Sequence, residues 1–257
     1  MSSMPQVPSE THLVVIPSYN TGAILQQTVQ QVMDQWAPVW VVIDGSTDGS
    51  VKLLEPLKQK YSGALKVIEL EHNVGKGAAL LQAVLMAKNG GFSHVLTMDA
   101  DNQHPADYIA EFMRQSKDSL QSMVFGVPVF NESAPALRVQ GRKISNAWVN
   151  LETLSWDIRD SLFGMRIYPI KDLVNVMQST RWARRFDFEP EVAVRLAWNG
   201  VKTINIETPV RYLSEEEGGV SQFRYLRDNV LLTWMHGRLF FGFVLRLPYL
   251  LLQKIKG

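Results

Sequence analysis

The chain of 257 residues contains no cysteine, and this absence removes several kinds of chemistry. It can form no disulfide framework, no thiolate metal site and no cysteine nucleophile. Neither sign of charge is in excess, and a formal net charge of +1 does not favour a nucleic-acid partner. The first ten residues also lack the apolar stretch of a secretory signal, so we expect 1–10 to be a disordered tail.

Two glycine-rich signatures of nucleotide enzymes are missing as well. Neither G-x-G-x-x-G nor G-x-x-x-x-G-K-[ST] occurs in the sequence. The first holds a dinucleotide pyrophosphate and the second holds the phosphates of a P-loop enzyme. Their absence argues against a dinucleotide dehydrogenase and against a P-loop kinase.

Apolar β-rich runs alternate with helical patterns in the first half of the chain. Strands are predicted at 12–17, 39–43, 65–70 and 92–98, and helices at 23–36, 50–61 and 76–88. Further on, the pattern predicts a strand at 122–130 that Pro128 makes an edge or bent element, a helix at 138–156 and a strand at 201–210. This alternation predicts an α/β fold with a mostly parallel, Rossmann-like sheet covered by helices.

The C-terminal segment 223–257 is unusually apolar. Its densest part, 239–252, would span about 21 Å as a helix, which is less than the roughly 30 Å of a bilayer core. We therefore expect amphipathic helices that lie in the membrane interface rather than cross it. Four cations remain for the headgroups: Arg238, Arg246, Lys254 and Lys256. The alternative is a pair of core helices docked on the domain.

Two carboxylates follow the predicted strand 92–98, one residue apart. On extended backbone Asp99 and Asp101 point the same way, and two like charges held so close need a positive partner. Mg²⁺ or Mn²⁺ suits oxygen ligands, and Mg²⁺ takes few protein carboxylates because substrate phosphates complete its shell. The pattern favours a metal–diphosphate site, in which Gln103 is a further candidate ligand. The alternative is a solvated turn with two acids.

Two more polar segments follow predicted strands. Asp44 closes the second strand, where it can contact a nucleoside or form an Asx turn. Gly75 and Gly77 would let the backbone approach a ligand closely. Lys76 begins a helix, where a cation opposes the helix dipole, so an anionic ligand there would explain it. The alternative is a plain strand–helix turn.

In order along the chain, these segments resemble the family 2 inverting glycosyltransferases, and within them the dolichyl- and polyprenyl-phosphate sugar synthases. The resemblance covers about residues 13–212. It rests on Ile-Pro-Ser-Tyr-Asn at 16–20, Ile-Asp-Gly-Ser-Thr-Asp-Gly at 43–49, Asn-Val-Gly-Lys-Gly-Ala-Ala-Leu at 73–80, Asp-Ala-Asp-Asn-Gln-His-Pro at 99–105, the Asp, Gly and Arg of 160–166, and Phe-Glu-Pro-Glu at 188–191.

The resemblance implies a GT-A domain at 11–222, and the apolar composition marks 223–257 as a C-terminal appendage. It implies metal-dependent transfer of a sugar from a nucleoside-diphosphate sugar to a lipid acceptor, by a peripheral protein on the cytoplasmic face of the membrane, in cell-envelope glycolipid synthesis. The implied nucleotide-sugar contacts are Pro17, Tyr19, Asn20, Asp44, Lys76, Asp99, Ala100 and Asp101. The implied metal ligands are Asp99, Asp101 and Gln103.

The acceptor end departs from the family pattern. Where the family has Gly-Ser-Arg, this chain has Gly-Val-Pro at 126–128, and where the family has Gly-x-Ser-Lys, it has Gly-Val-Ser-Gln at 219–222. Two phosphate-binding cations are therefore missing. The predicted acceptor contacts are Arg138, Arg142, Arg166 and Ser221. The acceptor is either a polyprenyl phosphate or a lipid hydroxyl. A hydroxyl needs a base, and the candidates are Asp160, Glu189 and Glu191, each of which could instead be a surface or helix-capping acid.

Two other functions remain open. A non-catalytic nucleotide-sugar-binding or membrane scaffold protein would share the fold, but an intact Asp-x-Asp argues against it. A sugar-nucleotidyltransferase also combines a nucleotide fold with Mg²⁺. Such enzymes usually carry a glycine-rich signature after the first strand, whereas this chain has Pro-Ser-Tyr-Asn at 17–20.

Overall fold

The computed structural model describes residues 8–130, 136–211 and 225–256. The strands in these ranges are β1 His12–Ser18, β2 Val39–Asp44, β3 Leu65–Leu70, β4 His94–Thr97, β5 Ser122–Val129, β6 Arg166–Pro169 and β7 Lys202–Pro209. The helices are α1 Ile24–Met33, α2 Ser50–Leu53, α3 Glu55–Lys60, α4 Lys76–Asn89, α5 Ile109–Asp118, α6 Ala136–Thr153, α7 Ile170–Gln178, α8 Phe188–Trp198 and α9 Tyr225–Lys256. A 3₁₀ turn, Ala106–Tyr108, precedes α5.

The strands form one sheet in the order β3-β2-β1-β4-β6-β5-β7. All strands run parallel except β6, which is antiparallel to β4 and β5. Alternate residues of β1 bury opposite faces of the sheet: Leu13 and Val15 join one core cluster, and Val14 and Ile16 join the other. This α/β architecture confirms the predicted fold class. The carboxyl ends of β1, β2 and β4 meet at one edge, which is where such sheets bind ligands.

The predicted strands all form, but some helices and one strand differ from the sequence interpretation. The predicted helix 50–61 is divided at Leu54 because Pro56 begins a new helix, α3, in its first turn. Strand β6 has only four residues and was not predicted, nor were α5, α7 and α8. Strand β5 is not an edge strand: it lies between β6 and β7, and β6 pairs only with its Val124 and Phe125, so Pro128 lies beyond that ladder.

The C-terminal segment forms one long helix, α9, with 32 residues and Pro248 in its interior. At 1.5 Å per residue it is about 48 Å long, so the length argument against membrane spanning is wrong. Its segment 226–255 contains an 18-residue window with a mean hydropathy of 1.3 and is, by length and composition alone, able to cross a membrane. The domain boundary at 222 stays a prediction, and most of the predicted tail 1–10 lies outside the described residues.

Two faces of α9 differ sharply. One face packs on the core through Met235, Leu239, Phe243 and Leu250. The other face exposes a row of large apolar side chains: Leu226, Val230, Trp234, Phe240, Phe241, Val244, Leu245, Tyr249, Leu251, Leu252 and Ile255. On the neighbouring helix α6, Ile144, Trp148 and Leu151 are exposed as well. The alternative of fully docked core helices therefore fits only one face of α9.

Candidate active site

The turns after β1 and β2 are bonded to each other. The backbone N–H of Thr47 donates to Asn20 Oδ1 at 2.8 Å, and the N–H of Gly22 donates to Asp48 Oδ2 at 2.7 Å. Partial burial opposes ionisation of Asp48, yet hydrogen bonds from Ser50 and Gly22 lower its pKa. These contacts fix one wall of the sheet edge. Of the other predicted nucleotide contacts, Pro17 lies within β1 and Tyr19 is partly exposed on this wall.

Asp44 lies at the end of β2 and is almost fully buried. Its carboxylate accepts hydrogen bonds from the backbone N–H groups of Val74 at 2.7 Å and Gly75 at 2.9 Å, and from Asn73 Nδ2 at 3.1 Å. It therefore holds the turn that leads into α4, in place of a local Asx turn. Its contact with a nucleoside stays a prediction.

The glycines on either side of Lys76 have a packing role that the sequence did not predict. A Cβ at Gly75 would lie 2.5 Å from the carbonyl oxygen of Arg184, and a Cβ at Gly77 would collide with the carbonyl oxygen of Ala183. The N–H of Ala78 donates to the Arg184 carbonyl at 3.1 Å. Gly75 also has φ +97°, which strongly favours glycine. These glycines admit the backbone of another segment, which accounts for them without a ligand, and close approach of a ligand at this turn stays a prediction.

Lys76 finds two carboxylates rather than open solvent. Its ammonium forms ion pairs with Asp99, beyond β4, and with Glu189, in the first turn of α8. Burial disfavours the ammonium, but the two carboxylates raise the pKa of Lys76 above its ordinary value. The cation is therefore held at the centre of the site by charges from two separate elements.

Asp99 and Asp101 follow β4 directly and differ in their surroundings. The N–H of Asp99 donates to His104 Nδ1 at 3.2 Å, and Asp99 Oδ2 lies 3.6 Å from His104 Nε2. Asp101 accepts from the N–H of Gln103 at 3.2 Å. Burial and the negative charge of Asp99 raise the pKa of Asp101 to about 7. An added cation would relieve this repulsion, as a shared metal does.

The Asp99 carboxylate packs so closely against Gly164 that only glycine fits there. A Cβ at Gly164 would lie 2.8 Å from Asp99 Cγ and 2.9 Å from Oδ1, and Thr97 Oγ1 donates to the Gly164 carbonyl at 3.0 Å. The described ranges contain no cluster of three or more His, Cys, Asp or Glu side chains arranged around a metal position. Two carboxylates nonetheless fit Mg²⁺ or Mn²⁺, because diphosphate and water supply the remaining ligands. A metal contact by Gln103 stays a prediction, and Ala100 is buried.

Asp160, the first candidate base, is buried and bonded on several sides. Its Oδ1 pairs with Arg142 Nη1 at 2.5 Å and accepts from the N–H groups of Leu162 at 3.0 Å and Phe163 at 2.7 Å. It thus closes the turn 160–163 as well as holding Arg142. Arg142 retains 18% exposure of its side chain, so it is the described acceptor candidate that still reaches the surface.

The two glutamates of α8 are also paired. Glu189 binds Lys76, as described above. Glu191 is fully buried, accepts from Arg195 at 2.9 Å, and receives two bonds from Arg238 of α9, at 3.2 and 2.8 Å. Each of the three candidate bases therefore has a cationic partner within the protein.

Arg166 was expected to contact the acceptor, but the structure buries it completely. Its guanidinium donates to the carbonyls of Phe163 at 2.6 Å and Glu189 at 2.9 Å, and it lies 4.2 Å from the ring centre of Phe125. In this conformation it ties the turn 160–163 to α8 rather than facing a ligand. The side chain of Arg138 and all of Ser221 lie outside the described residues.

Sequence reasoning assigned no role to several residues that shape the site. His104 and Gly164 occur inside the quoted motifs, yet only their contact with Asp99 reveals what they do. A second group connects α9 to the site: His236 hydrogen-bonds with Glu152 at 3.0 Å and with Ser145 at 3.1 Å. Ser145 in turn hydrogen-bonds with Ser161 at 3.1 Å, next to Asp160. No local pattern marks this second group, because α6, the turn 160–163 and α9 contribute its members.

Comparison with known proteins agrees with this geometry. The family model for glycosyl transferase family 2 matches residues 13–189. A polyprenol monophosphomannose synthase from Mycolicibacterium smegmatis is 26% identical over 221 residues, which are 84% of this chain and 82% of the relative. An undecaprenyl-phosphate 4-deoxy-4-formamido-L-arabinose transferase from Salmonella choleraesuis is 26% identical over 225 residues, and the match covers 83% of this chain but only 63% of that relative.

A solved structure supports the fold. The glucosyl-3-phosphoglycerate synthase of Mycobacterium tuberculosis, in complex with Mn²⁺, uridine diphosphate and phosphoglyceric acid, superimposes with a TM-score of 0.63. The identity is 16%, and the alignment covers 91% of this chain and 78% of that one. At this identity the similarity establishes a GT-A fold and no more. The family model spans well over half of the chain, and the chain therefore belongs to glycosyl transferase family 2.

Proposed function

We propose that this glycosyltransferase moves a sugar, with inversion, from a nucleoside-diphosphate sugar to a lipid acceptor at the membrane surface. One observation carries the proposal: the carboxylate pair Asp99 and Asp101 lies at the ligand-binding edge of a chain that also displays the long apolar face of α9. The first feature suits a diphosphate donor and the second suits a lipid. The names of the two sequence relatives point to polyprenyl-type acceptors.

The donor end uses a small set of residues. Asp99 and Asp101 would hold Mg²⁺ or Mn²⁺, which stabilises the charge that develops on the departing diphosphate. Lys76 lies beside them and can add a further positive charge. The bonded turns after β1 and β2 form the wall on which Tyr19 and Asn20 would face the nucleotide.

The acceptor is best assigned as a polyprenyl phosphate. A lipid hydroxyl would require a carboxylate base, but Asp160, Glu189 and Glu191 are each paired with an arginine or a lysine. An ionised phosphate needs no such base. Arg142, which pairs with Asp160 and still keeps 18% exposure of its side chain, is a described cation that can meet the phosphate, in place of the two cations that the family pattern would supply.

The membrane is met by one face of α9 and by the apolar side chains of α6. Buried positions on α9 run from Asp228 to Leu250, so the domain covers one side of the helix along most of its length. Crossing a bilayer would expose that side to lipid. We therefore place α9 in the plane of the cytoplasmic interface, where Arg246 and Lys254 can reach anionic headgroups.

The decisive experiment is a donor panel. Full-length protein is incubated with Mn²⁺, membrane lipid extract and each common nucleoside-diphosphate sugar, and the lipids are analysed by mass spectrometry. A new lipid-linked sugar that disappears with EDTA and with Asp101→Asn supports the proposal. If the donor is hydrolysed but no lipid product forms, the assignment of a lipid acceptor is wrong. If no donor is hydrolysed and none is used for transfer, the result supports the non-catalytic alternative. If the protein makes a nucleotide-sugar from a sugar phosphate and a nucleoside triphosphate, the result supports a nucleotidyltransferase.

A further inference from the structure

We propose that Lys76 competes with the metal for Asp99, so that the site binds a divalent cation well only together with the nucleotide. This inference rests on the proposed function, because it concerns the same metal–diphosphate site. It assigns Lys76 two successive partners, the protein's own carboxylates and then the donor's diphosphate.

The geometry around Asp99 carries the argument. Oδ1 is paired with the ammonium of Lys76, and Oδ2 faces His104 Nε2 at 3.6 Å. Gly164 closes the carboxylate from another side, since even a methyl group would not fit there. The Asp99 side chain keeps 30% exposure, so a metal ion can approach it from that side, where it meets a carboxylate that already carries the ammonium and must displace the ammonium or share the carboxylate with it. Two positive charges on one carboxylate repel each other, so displacement is favoured.

Glu189 makes the displacement possible without ejecting Lys76 from the site. It lies in the first turn of α8 and already shares the ammonium with Asp99. When Lys76 leaves Asp99, Glu189 keeps it close. The ammonium is then held beside the metal without its second partner, and an incoming diphosphate replaces that partner. Glu189 thus acts as a positioning residue for Lys76 in place of the predicted base.

A consequence is that metal and nucleotide support each other's binding. When the metal binds without nucleotide, it must separate Lys76 from Asp99, and the ammonium of Lys76 is then incompletely paired. Metal with a nucleoside diphosphate brings the compensating negative charge in the same event. The coupling is reciprocal, so the metal should also increase the affinity for the nucleotide.

The test measures binding of Mn²⁺ alone by electron paramagnetic resonance, with full-length wild type, Lys76→Met and Lys88→Met. Lys88 is an exposed residue in the last turn of the same helix α4, so its substitution removes the same charge away from the site. Removing a charge this close is expected to tighten Mn²⁺ binding to Lys76→Met by at least about tenfold. Lys88→Met should match wild type. The titrations are then repeated with uridine and guanosine diphosphates, for which Lys76→Met should lose the cooperation between metal and nucleotide.

Two additional measurements keep the result interpretable. Mn²⁺ should raise the melting temperature of Lys76→Met more than that of wild type, because a ligand that binds more tightly stabilises the folded state more. Lys76→Arg keeps the positive charge and should restore weak binding of Mn²⁺ alone. If Lys76→Met does not fold, Lys76→Gln replaces it.

The outcomes separate the two proposals. Equal or weaker Mn²⁺ binding by the folded neutral variant overturns the competition, even if wild type transfers sugar in a metal-dependent way. Sugar transfer that persists in EDTA overturns the metal role in the proposed function. Tighter binding of Mn²⁺ alone, together with lost nucleotide cooperation, supports the competition between Lys76 and the metal.

Discussion

The contact between Gly164 and Asp99 makes a sharp prediction, because one methyl group is enough to test it. In Gly164→Ala the new Cβ would lie 2.8 Å from Asp99 Cγ, whereas carbon atoms in good contact are about 3.5–4.0 Å apart. The backbone at Gly164 does not have the positive φ that disfavours alanine. The cost therefore comes from the contact, and the Asp99 carboxylate must withdraw by about 1 Å.

A displacement of this size should matter far more for function than for folding. Overpacking typically costs about 1–3 kcal/mol of stability, whereas a 1 Å misplacement at a reacting centre can cost about 10²-fold in rate. We expect Gly164→Ala to remain folded at room temperature, to bind Mn²⁺ with nucleoside diphosphate more weakly, and to lose about 10²-fold in kcat/KM.

The assay combines Mn²⁺ titration, thermal melting and transfer to lipid. Gly141→Ala is the matched control: it lies within α6, its new Cβ meets nothing within 4 Å, and alanine there should raise stability by about 1 kcal/mol. If Gly164→Ala binds Mn²⁺ and transfers sugar as wild type does, the Asp99 carboxylate is not the metal ligand that this geometry assigns.

Three further outcomes are expected. Asp101→Asn should abolish metal-dependent transfer while its melting temperature stays equal or rises, since a buried charge that repels Asp99 is removed; a fully active variant would contradict the metal assignment. Burial and the nearby His94 lower the pKa of His12 from 6.5 to about 4, so the unfolded chain binds a proton that the folded chain rejects, and His12 should contribute about 2 kcal/mol to the fall in the free energy of unfolding from pH 7 to pH 5, to which His104, whose pKa burial also lowers to about 4, adds. Urea titrations at both pH values measure this loss of stability. If His12→Gln loses as much stability between pH 7 and pH 5 as wild type does, the assignment to His12 is refuted. Arg238→Met should lower the free energy of unfolding by about 2–3 kcal/mol, because Glu191 is left with Arg195 alone, whereas Lys254→Met on the exposed part of α9 should change it little.

The central half of the sheet was predictable because each strand is apolar and each polar segment follows a strand end. Parallel strands end at the same edge, so Asp44 and Asp99 were correctly expected at one side of the sheet. Strand β6 was missed because it is four residues long and begins with a buried arginine whose charge is satisfied by carbonyls from other segments. Such compensation has no signal in the local sequence.

The site itself was predictable as a set of residues but not as a set of contacts. Lys76 was correctly singled out, yet its pairing with Glu189 joins segments more than a hundred positions apart. The packing of the neighbouring glycines against 183–184 was not predicted, because that segment carries no distinguishing pattern. Along α9, one continuous helix contains both Arg246, which lies over the ring of Trp198, and Pro248, although proline disfavours a helix interior.

The unequal faces of α9 have a practical consequence for handling the protein. His236 and Arg238 bind Ser145 and Glu191 on the inner side, so deleting residues 229–257 would remove polar contacts of the catalytic domain together with the apolar surface. Truncation therefore cannot separate the proposed membrane attachment from site geometry. Polar substitutions at Phe241, Leu245 and Leu252 alter the outer side alone. Solubility of this enzyme can thus be redesigned from the outer face of a helix whose inner face continues to brace the sugar-transfer site.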